Sequence, residues 1–148
     1  MEYIVFKLKE ENYAVPLDKI KEILVYSQVI ITELFDDAPW IKGMMNLRGE
    51  VIPIVDLRVR FDIENSNYTD DTVIIVIKTT EDKLIGVIVD SIKSIMELKQ
   101  QTVVPAPDMG VSIDPKYIEG LIKVSDKQMA ILLNIDIVLK IEELVKEI

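Results

Sequence analysis

The sequence predicts a mainly β protein made of two related small barrels packed about a pseudo-twofold axis. Short apolar segments separated by polar turns are typical of such barrels, and residues 4–24 align without a gap with residues 76–96. A repeat of this length is too long for a solenoid, and one unit alone would have a thin core. We therefore expect a single domain over residues 1–148, made of two intimately packed units that correspond approximately to repeats 1–65 and 72–148.

A predicted hairpin opens each half of the chain. The first joins Tyr3–Leu8 to Tyr13–Leu17, and the second joins Thr72–Ile77 to Leu84–Val89. Each pair of apolar segments flanks a short polar turn, which is the sequence pattern of a β-hairpin. The polar segment Asn65–Asp71 is the expected joint between the halves.

The two halves match again further along. Residues 39–45 parallel residues 116–122, and residues 51–57 parallel residues 131–137. A residue present at matching places in both halves is best explained by the shared fold, as a tight backbone position for a glycine or a cap for an aspartate. Two matched pairs fall under this structural interpretation: Gly43 with Gly120, and Asp56 with Asp136.

The end of the chain predicts an amphipathic helix. From residue 134 or 136 to residue 148, apolar residues recur at spacings of three and four, which places them on one helical face. Packing of this face on the protein's own barrel is favoured, and binding to a partner remains the alternative. The apolar residues are Ile137, Ile141, Leu144, Val145 and Ile148.

The composition argues against most catalytic functions. The chain has no histidine and no cysteine, so it lacks the usual general base near pH 7 and the usual ligands of zinc. A net charge of −9 opposes binding to nucleic acid or insertion at an anionic membrane. No apolar run approaches the roughly 20 residues of a membrane helix, and the start lacks the features of a signal peptide. We expect a cytoplasmic, non-enzymatic protein that needs no cofactor or metal.

The three arginines of the chain are confined to residues 40–61. Arg48 lies in the segment 46–50, whose counterpart in the second half keeps neither its arginine nor its glycine. Arginine is enriched at interface anchors, so Arg48 is a candidate recognition residue; bonding to hairpin carbonyl groups is the alternative. Arg58 and Arg60 follow the strand and are interpreted as an exposed rim.

These residues belong to a longer motif that resembles the CheW family of bacterial chemotaxis adaptors. The motif is specific, and the similarity extends over essentially the whole chain. It is carried by residues 41–43, 46–49 and 51–58, with further matches at Val87–Asp90, Pro105–Pro107 and Tyr117–Gly120.

The resemblance implies both a fold and a function. Members of the family have two SH3-like five-stranded β-barrels, and they couple methyl-accepting chemoreceptors to the histidine kinase CheA in signalling arrays. The receptor's cytoplasmic tip meets the groove between the barrels, and the regulatory domain of CheA packs barrel to barrel. The protein would therefore be associated with membrane receptor arrays through its partners. A related adaptor of a non-chemotaxis two-component pathway is the alternative.

Residue roles carried over from this resemblance are expectations. The receptor-binding candidates are Ile20, Glu22, Arg48, Ile95 and Gly120, and the kinase-binding candidates are Val15 and Leu17. Glu22 is also unrepeated, with Ser94 at its matching place, and we expect it to pair with Arg48 at the edge of the groove.

Two other function classes remain open on the residues alone. Aspartates could serve a carboxylate-dependent enzyme or a cation site, although adjacent aspartates on a strand point apart. An oligonucleotide-binding barrel is disfavoured by the negative charge. The aspartates concerned are Asp36, Asp37, Asp70 and Asp71.

Overall fold

The computed structural model of the protein describes residues 1–33, 41–63, 67–97, 103–104 and 113–140. Within them the chain forms short strands with two α-helical turns and a few 3-10 turns. The strands are β1 (Glu2–Leu8), β2 (Glu11–Pro16), β3 (Ile20–Val25), β4 (Ile41–Leu47), β5 (Glu50–Asp56), β6 (Val73–Lys78), β7 (Leu84–Val89), β8 (Ser91–Glu97), β9 (Val103–Val104), β10 (Ile118–Lys123) and β11 (Met129–Leu133). The helical turns are α1 (Leu57–Arg60) and α2 (Ile135–Val138).

The strands form two sheets of the same topology. One sheet has the order β8-β1-β2-β11-β10-β9, and the other has the order β3-β6-β7-β5-β4. Neighbours are antiparallel except β2 with β11 and β5 with β7, which are parallel. If each strand is replaced by its counterpart in the other half of the sequence, the first five strands of the first order become the second order. The predicted mainly β fold is confirmed.

Each sheet takes strands from both halves of the sequence. The hairpin β1–β2 lies between β8 and β11, while the hairpin β6–β7 lies between β3 and β5. The chain therefore crosses from one sheet to the other after each hairpin, near Lys19 and near Asp90. Each sheet is thus built from parts of both sequence repeats. Composition and periodicity alone did not reveal this arrangement.

The core has a layer shared by the sheets and a smaller layer under each one. The shared layer combines Ile4 and Phe6 from one sheet with Ile75 and Val87 from the other. Alternate residues of the same strands, such as Val5, point into the smaller layers. The aromatic rings of Phe6, Tyr13, Phe61 and Tyr117 stack in succession through the shared layer.

The shared layer explains the stability of the pair of units. Strands buried on both faces contribute apolar surface twice, and each Å² removed from water is worth about 25 cal/mol. Residues of both sheets line this layer, whereas the layer expected from the sequence lay between the two repeats.

The second half has a different register from the one that its sequence suggests. Gly43 pairs with Ile54 after a bulge in β4, and Gly120 pairs with Leu132 after the same bulge in β10. Asp56 is therefore equivalent to Asn134, and the predicted equivalence of Asp56 with Asp136 is wrong. The second hairpin is longer by one residue, since Gly43 and Ile54 are 11 residues apart and Gly120 and Leu132 are 12, whereas the sequence match assumed three extra residues.

The residues that cap the starts of α1 and α2 agree with this corrected equivalence. Asp56 accepts a hydrogen bond from the backbone N–H of Arg58 at 3.0 Å, and Asn134 accepts one from Ile137 at 3.3 Å. Both are N-caps, which satisfy a backbone donor at the start of a helical turn. The predicted capping role of Asp56 is confirmed, and that of Asp136 belongs to Asn134.

The predicted C-terminal helix lies mostly outside the described residues. The turn α2 covers only Ile135–Val138, and residues 141–148 lie beyond the described part, so the longer helix remains a prediction. No helix within the described residues is long and apolar enough to cross a membrane.

Candidate functional site

The hairpin between β4 and β5 ends in a tight turn at Arg48 and Gly49. Their φ angles are +50° and +89°, as expected for a type I′ turn, in which both central residues have positive φ. Leu47 pairs with Glu50 to close the turn. The side-chain Oδ1 of Asn46 accepts a hydrogen bond from the backbone N–H of Gly49 at 2.9 Å.

The guanidinium of Arg48 forms a bidentate ion pair with Glu22 on β3. Its two terminal nitrogens donate to the two carboxylate oxygens at 2.5 and 2.8 Å. The hydrogen bond from Arg48 lowers the pKa of the Glu22 carboxyl, and the same bond raises the pKa of Arg48. The predicted pairing is confirmed, and the alternative in which Arg48 bonds hairpin carbonyls is not observed.

The pair is presented to solvent unequally. The side chain of Arg48 is 73% exposed, whereas that of Glu22 is 22% exposed. Glu22 follows a bulge in β3, where the register shifts between Ile20 and Glu22, and bulges re-aim side chains at sheet edges. The carboxylate therefore anchors the pair, and the guanidinium projects from it.

The matching hairpin of the second half carries no such ion pair. Lys93 of β8 donates to the side-chain oxygen of Gln128 in the loop between β10 and β11. β8 has a bulge at the place that matches the bulge of β3, and Lys93 lies at it. Each hairpin tip thus contacts an edge strand through a side chain. Only at the β4–β5 tip is that contact an ion pair.

Three further receptor-binding candidates lie in different environments. Ile20, at the start of β3, is partly buried against the shared core. Ile95 on β8 is 55% exposed, and its counterpart Ile23 on β3 is 40% exposed. Gly120 is buried within β10, and its contact with the receptor remains a prediction.

The kinase-binding candidates are largely covered. Val15 is wholly buried in the shared core, and its contact with a kinase remains a prediction. The periodicity of β2 did not reveal this burial, because the strand is buried on both faces. Leu17 lies in the 3-10 turn after β2 and is partly buried.

Arg58 is not a rim residue, contrary to prediction. It is fully buried, and its guanidinium donates to Asp56 at 3.2 and 3.3 Å and pairs with Asp90 at 3.1 Å. The ring of Tyr68 packs on the guanidinium at 4.8 Å, and its hydroxyl donates to Asp56 at 2.9 Å. Burial, reinforced by Asp56, raises the pKa of Tyr68.

The Arg58 cluster joins the two sheets. Asp90 lies at the crossover from β7 to β8, and it accepts a hydrogen bond from the backbone N–H of Lys9, in the β1–β2 turn, at 2.5 Å. Its own N–H donates to the carbonyl of Lys7 at 3.0 Å. A buried guanidinium on α1 is therefore tied to strands of the other sheet.

Arg60 is also more than a rim residue. Its Nε donates to the backbone carbonyl of Val138 at 3.2 Å, and its guanidinium lies 5.6 Å from the ring centre of Tyr117. Arg60 thereby links α1 to α2. Neither of these arginines could be assigned from the strand pattern, because Asp90, which pairs with Arg58, and Val138, which accepts from Arg60, are distant in sequence.

A second crossover has an ion pair of reversed polarity. Asp136, the second residue of α2 as Arg58 is of α1, accepts from Lys19 at 2.7 Å. The backbone N–H and the hydroxyl of Thr80 also donate to Asp136, each at 2.8 Å. Burial alone would raise the pKa of Asp136, but the bonds from Lys19 and Thr80 lower it.

We expect Asp136→Asn to lower the free energy of unfolding at pH 7 by about 1 kcal/mol, because solvent screens this half-exposed pair. A carboxyl whose pKa is lowered by folding stabilises the protein above its unfolded pKa, and that contribution disappears as the pH falls through the folded pKa. Urea denaturation from pH 7 to pH 2 should therefore show the two curves converging at acid pH. Asp126→Asn, which breaks an exposed pair with Lys123, is the control and should change little; a constant difference across the pH range would contradict the assignment.

The geometry can be compared with known proteins. Residues 2–143 match the model of the CheW-like domain. The chain belongs to the CheW family. The chemotaxis protein CheW of Klebsiella aerogenes is 34% identical over 143 residues, which are 97% of this chain and 84% of that protein. The CheW of Bacillus subtilis is 32% identical over 130 residues, which are 87% of this chain and 81% of that protein.

The fold agrees with a solved structure of the CheW family. The crystal structure of the scaffolding protein TtCheW from Thermoanaerobacter tengcongensis matches with a TM-score of 0.85 and 29% identity, covering 94% of this chain and 92% of that one. A segment of the chemotaxis protein CheA of Bacillus subtilis is 28% identical over 88 residues, or 60% of this chain and 12% of CheA. CheA thus contains a segment related to this CheW-family chain.

The aspartate alternative receives no support from the part of the chain that the structure describes. No group of acidic residues there could hold a metal ion, and Asp70 and Asp71 are exposed turn residues. Asp36 and Asp37 lie outside the described residues. In this CheW-family chain, the described feature best suited to recognition is the Glu22–Arg48 pair.

Sequence reasoning missed the exposed apolar residue Ile23 of this CheW-family chain. Ile23 lies with Lys21 and Val25 on the exposed face of the edge strand β3. The signal was present, because Ile23 is the identical counterpart of Ile95 in the repeat, and Ile95 was selected.

Proposed function

We propose that this chain is a chemotaxis adaptor that couples chemoreceptors to the histidine kinase CheA. Membership of the CheW family supports it, as does the relationship to CheA itself. The observation that carries the proposal to a site is the Glu22–Arg48 pair, an exposed guanidinium held on a hairpin tip by an ion pair to an edge strand; the matching tip of the second half contacts its edge strand through the uncharged side chain of Gln128.

The receptor face in this proposal surrounds the hairpin tip and the edge strands. Arg48 supplies a directed donor, Glu22 orients it, and Ile95 supplies exposed apolar surface. Ile20, two residues before Glu22, contributes through packing beneath that strand. Arginine is enriched among the residues that contribute most to binding at interfaces.

The kinase face lies elsewhere on the barrels. Of the two expected residues, Leu17 retains partial exposure and stays a candidate, while Val15 is buried in β2 and would act only through the packing of that strand. Two interfaces of about 800 Å² per partner or less would bind with weak to moderate affinity, and repetition in an array would strengthen the assembly. The adaptor itself performs no chemistry in this account.

Arg48→Ala is expected to weaken binding to a receptor signalling fragment by about tenfold or more, while binding to CheA stays near that of the parent. The reason is that the change removes the projecting guanidinium and leaves the barrel intact. Titration calorimetry with each partner separately provides the measurement. Lys123→Ala is the matched control, since it removes an exposed cation from the corresponding hairpin of the second half. Equal losses for both partners, or none for the receptor, would refute the assignment of faces.

Charge reversal tests whether the two residues act as a pair. Glu22→Arg and Arg48→Glu each place like charges together, so each should weaken receptor binding, and the double reversal restores an ion pair. We expect the double variant to bind better than either single variant, with a coupling that a double-mutant cycle measures. If the double reversal recovers nothing beyond the single changes, Glu22 does not orient Arg48 for the receptor.

A further inference from the structure

Arg48 occupies a backbone conformation that its residue type disfavours. Its φ is +50°, in the left-handed region that costs a non-glycine residue roughly 1 kcal/mol or more. Type I′ turns favour asparagine followed by glycine at their two central positions. An arginine at the first position is therefore a local departure from the turn's preference, and backbone strain of this kind tends to accompany function.

A glycine suits position 49 because of the positive φ angle there, and not because a side chain would clash with a neighbour. A Cβ atom built at Gly49 would meet nothing within 4 Å, yet its φ is +89°. The space beside Gly49 is thus open. The hydrogen bonds within the hairpin, together with the ion pair to Glu22, define where Arg48 points.

The side chain of Asn46 makes a hydrogen bond within this turn. Its Oδ1 accepts from the N–H of Gly49 at 2.9 Å, which spans Arg48. Asparagine and aspartate side chains commonly fix turns in this way by bonding to a nearby backbone N–H. Asn46 is itself exposed, so its identity is not required by the core.

We propose that Asn46 is a positioning residue that holds the Arg48–Gly49 turn in its left-handed form and thereby presents the Arg48 guanidinium to Glu22 and to the receptor. The inference deepens the proposed function and rests on the receptor contact of Arg48. Its physical basis is preorganisation: a guanidinium already fixed by its turn and by Glu22 loses less conformational freedom on binding. The turn therefore contributes to receptor affinity without touching the receptor.

The test compares substitutions in the full chain. Asn46→Ala removes the acceptor, Asn46→Asp keeps it, and Arg48→Asn keeps the turn while deleting the guanidinium. Each variant is titrated with the receptor fragment and with CheA, and the Nη–H resonances of Arg48, whose protons bond Glu22, are followed by NMR as a direct report of the ion pair. Thermal unfolding monitors the fold.

We expect Asn46→Ala to weaken receptor binding by about threefold to tenfold, as one lost hydrogen bond implies, with CheA binding unchanged. Its Arg48 resonances should move toward those of Glu22→Gln, and Asn46→Asp should restore both. Arg48→Asn should lose receptor binding while unfolding at the parent's temperature or above, because asparagine suits the turn.

Two results would overturn the inference in different ways. If Arg48→Asn loses receptor binding but Asn46→Ala keeps both the affinity and the resonances of the parent, the receptor contact stands and the positioning role of Asn46 falls. If Arg48→Asn binds the receptor like the parent, the contact itself is refuted, and the inference that rests on it falls as well.

Discussion

Arg58→Met is expected to lower the free energy of unfolding by about 3 to 5 kcal/mol, because removing one partner of a buried ion pair leaves the other uncompensated. Arg58 is fully buried, and Asp56 beside it is 2% exposed. Methionine fills similar volume but donates no hydrogen bond, so the carboxylates of Asp56 and Asp90 would lose their guanidinium. Urea denaturation at pH 7 gives the measurement.

The Arg58 prediction has an internal control and a partial rescue. Arg60→Met removes a half-buried guanidinium that bonds one carbonyl, so it should cost only about 1 kcal/mol. Adding Asp56→Asn to Arg58→Met should recover part of the loss, since it removes one stranded charge. A stability of Arg58→Met equal to that of the parent would show that the cluster does not join the sheets.

Gly43→Ala is expected to destabilise the protein by about 3 kcal/mol or more, through overpacking and backbone strain together. An added Cβ would lie 2.2 Å from the carbonyl oxygen of Thr32 and 2.9 Å from Cγ2 of Ile31. The first of these is a backbone atom, and Thr32 exchanges two hydrogen bonds with Met44, of 2.8 and 2.9 Å. The clash would therefore disrupt the hydrogen-bonded bridge between Thr32 and Met44 of β4.

Gly49→Ala separates backbone strain from steric conflict. It also replaces a glycine of positive φ, but a Cβ at Gly49 meets no atom within 4 Å, so we expect a cost of only about 1 kcal/mol. Thermal or urea unfolding of both variants gives the comparison. If Gly43→Ala cost no more than Gly49→Ala, the close approach of Thr32 would not be the reason for a glycine at position 43.

The internal repeat accounts for what could be predicted. Matching hairpins and glycines identify the shared fold, and the departure of Glu22 and Arg48 from the repeat identifies their pair. Both inferences use residues that are near in sequence or are compared at matching places. They require no knowledge of how the sheets are assembled.

Long-range partners explain what could not be predicted. The burial of Arg58 depends on Asp90, which a crossover brings from the other half. The register of β11 depends on a loop whose length differs between the halves, and a match of Asp56 with Asp136 was misleading for that reason. Val15 is buried because its strand lies under a second sheet, which alternation along one strand cannot show.

The most direct measurement of the central claim is co-sedimentation of three components. A receptor signalling fragment assembled on vesicles should carry CheA into the pellet far more efficiently when this chain is present than when it is absent. The Arg48→Ala chain should still bind CheA but should bring less of it to the receptor. Failure of the parent chain to bind either the receptor fragment or CheA would contradict the account.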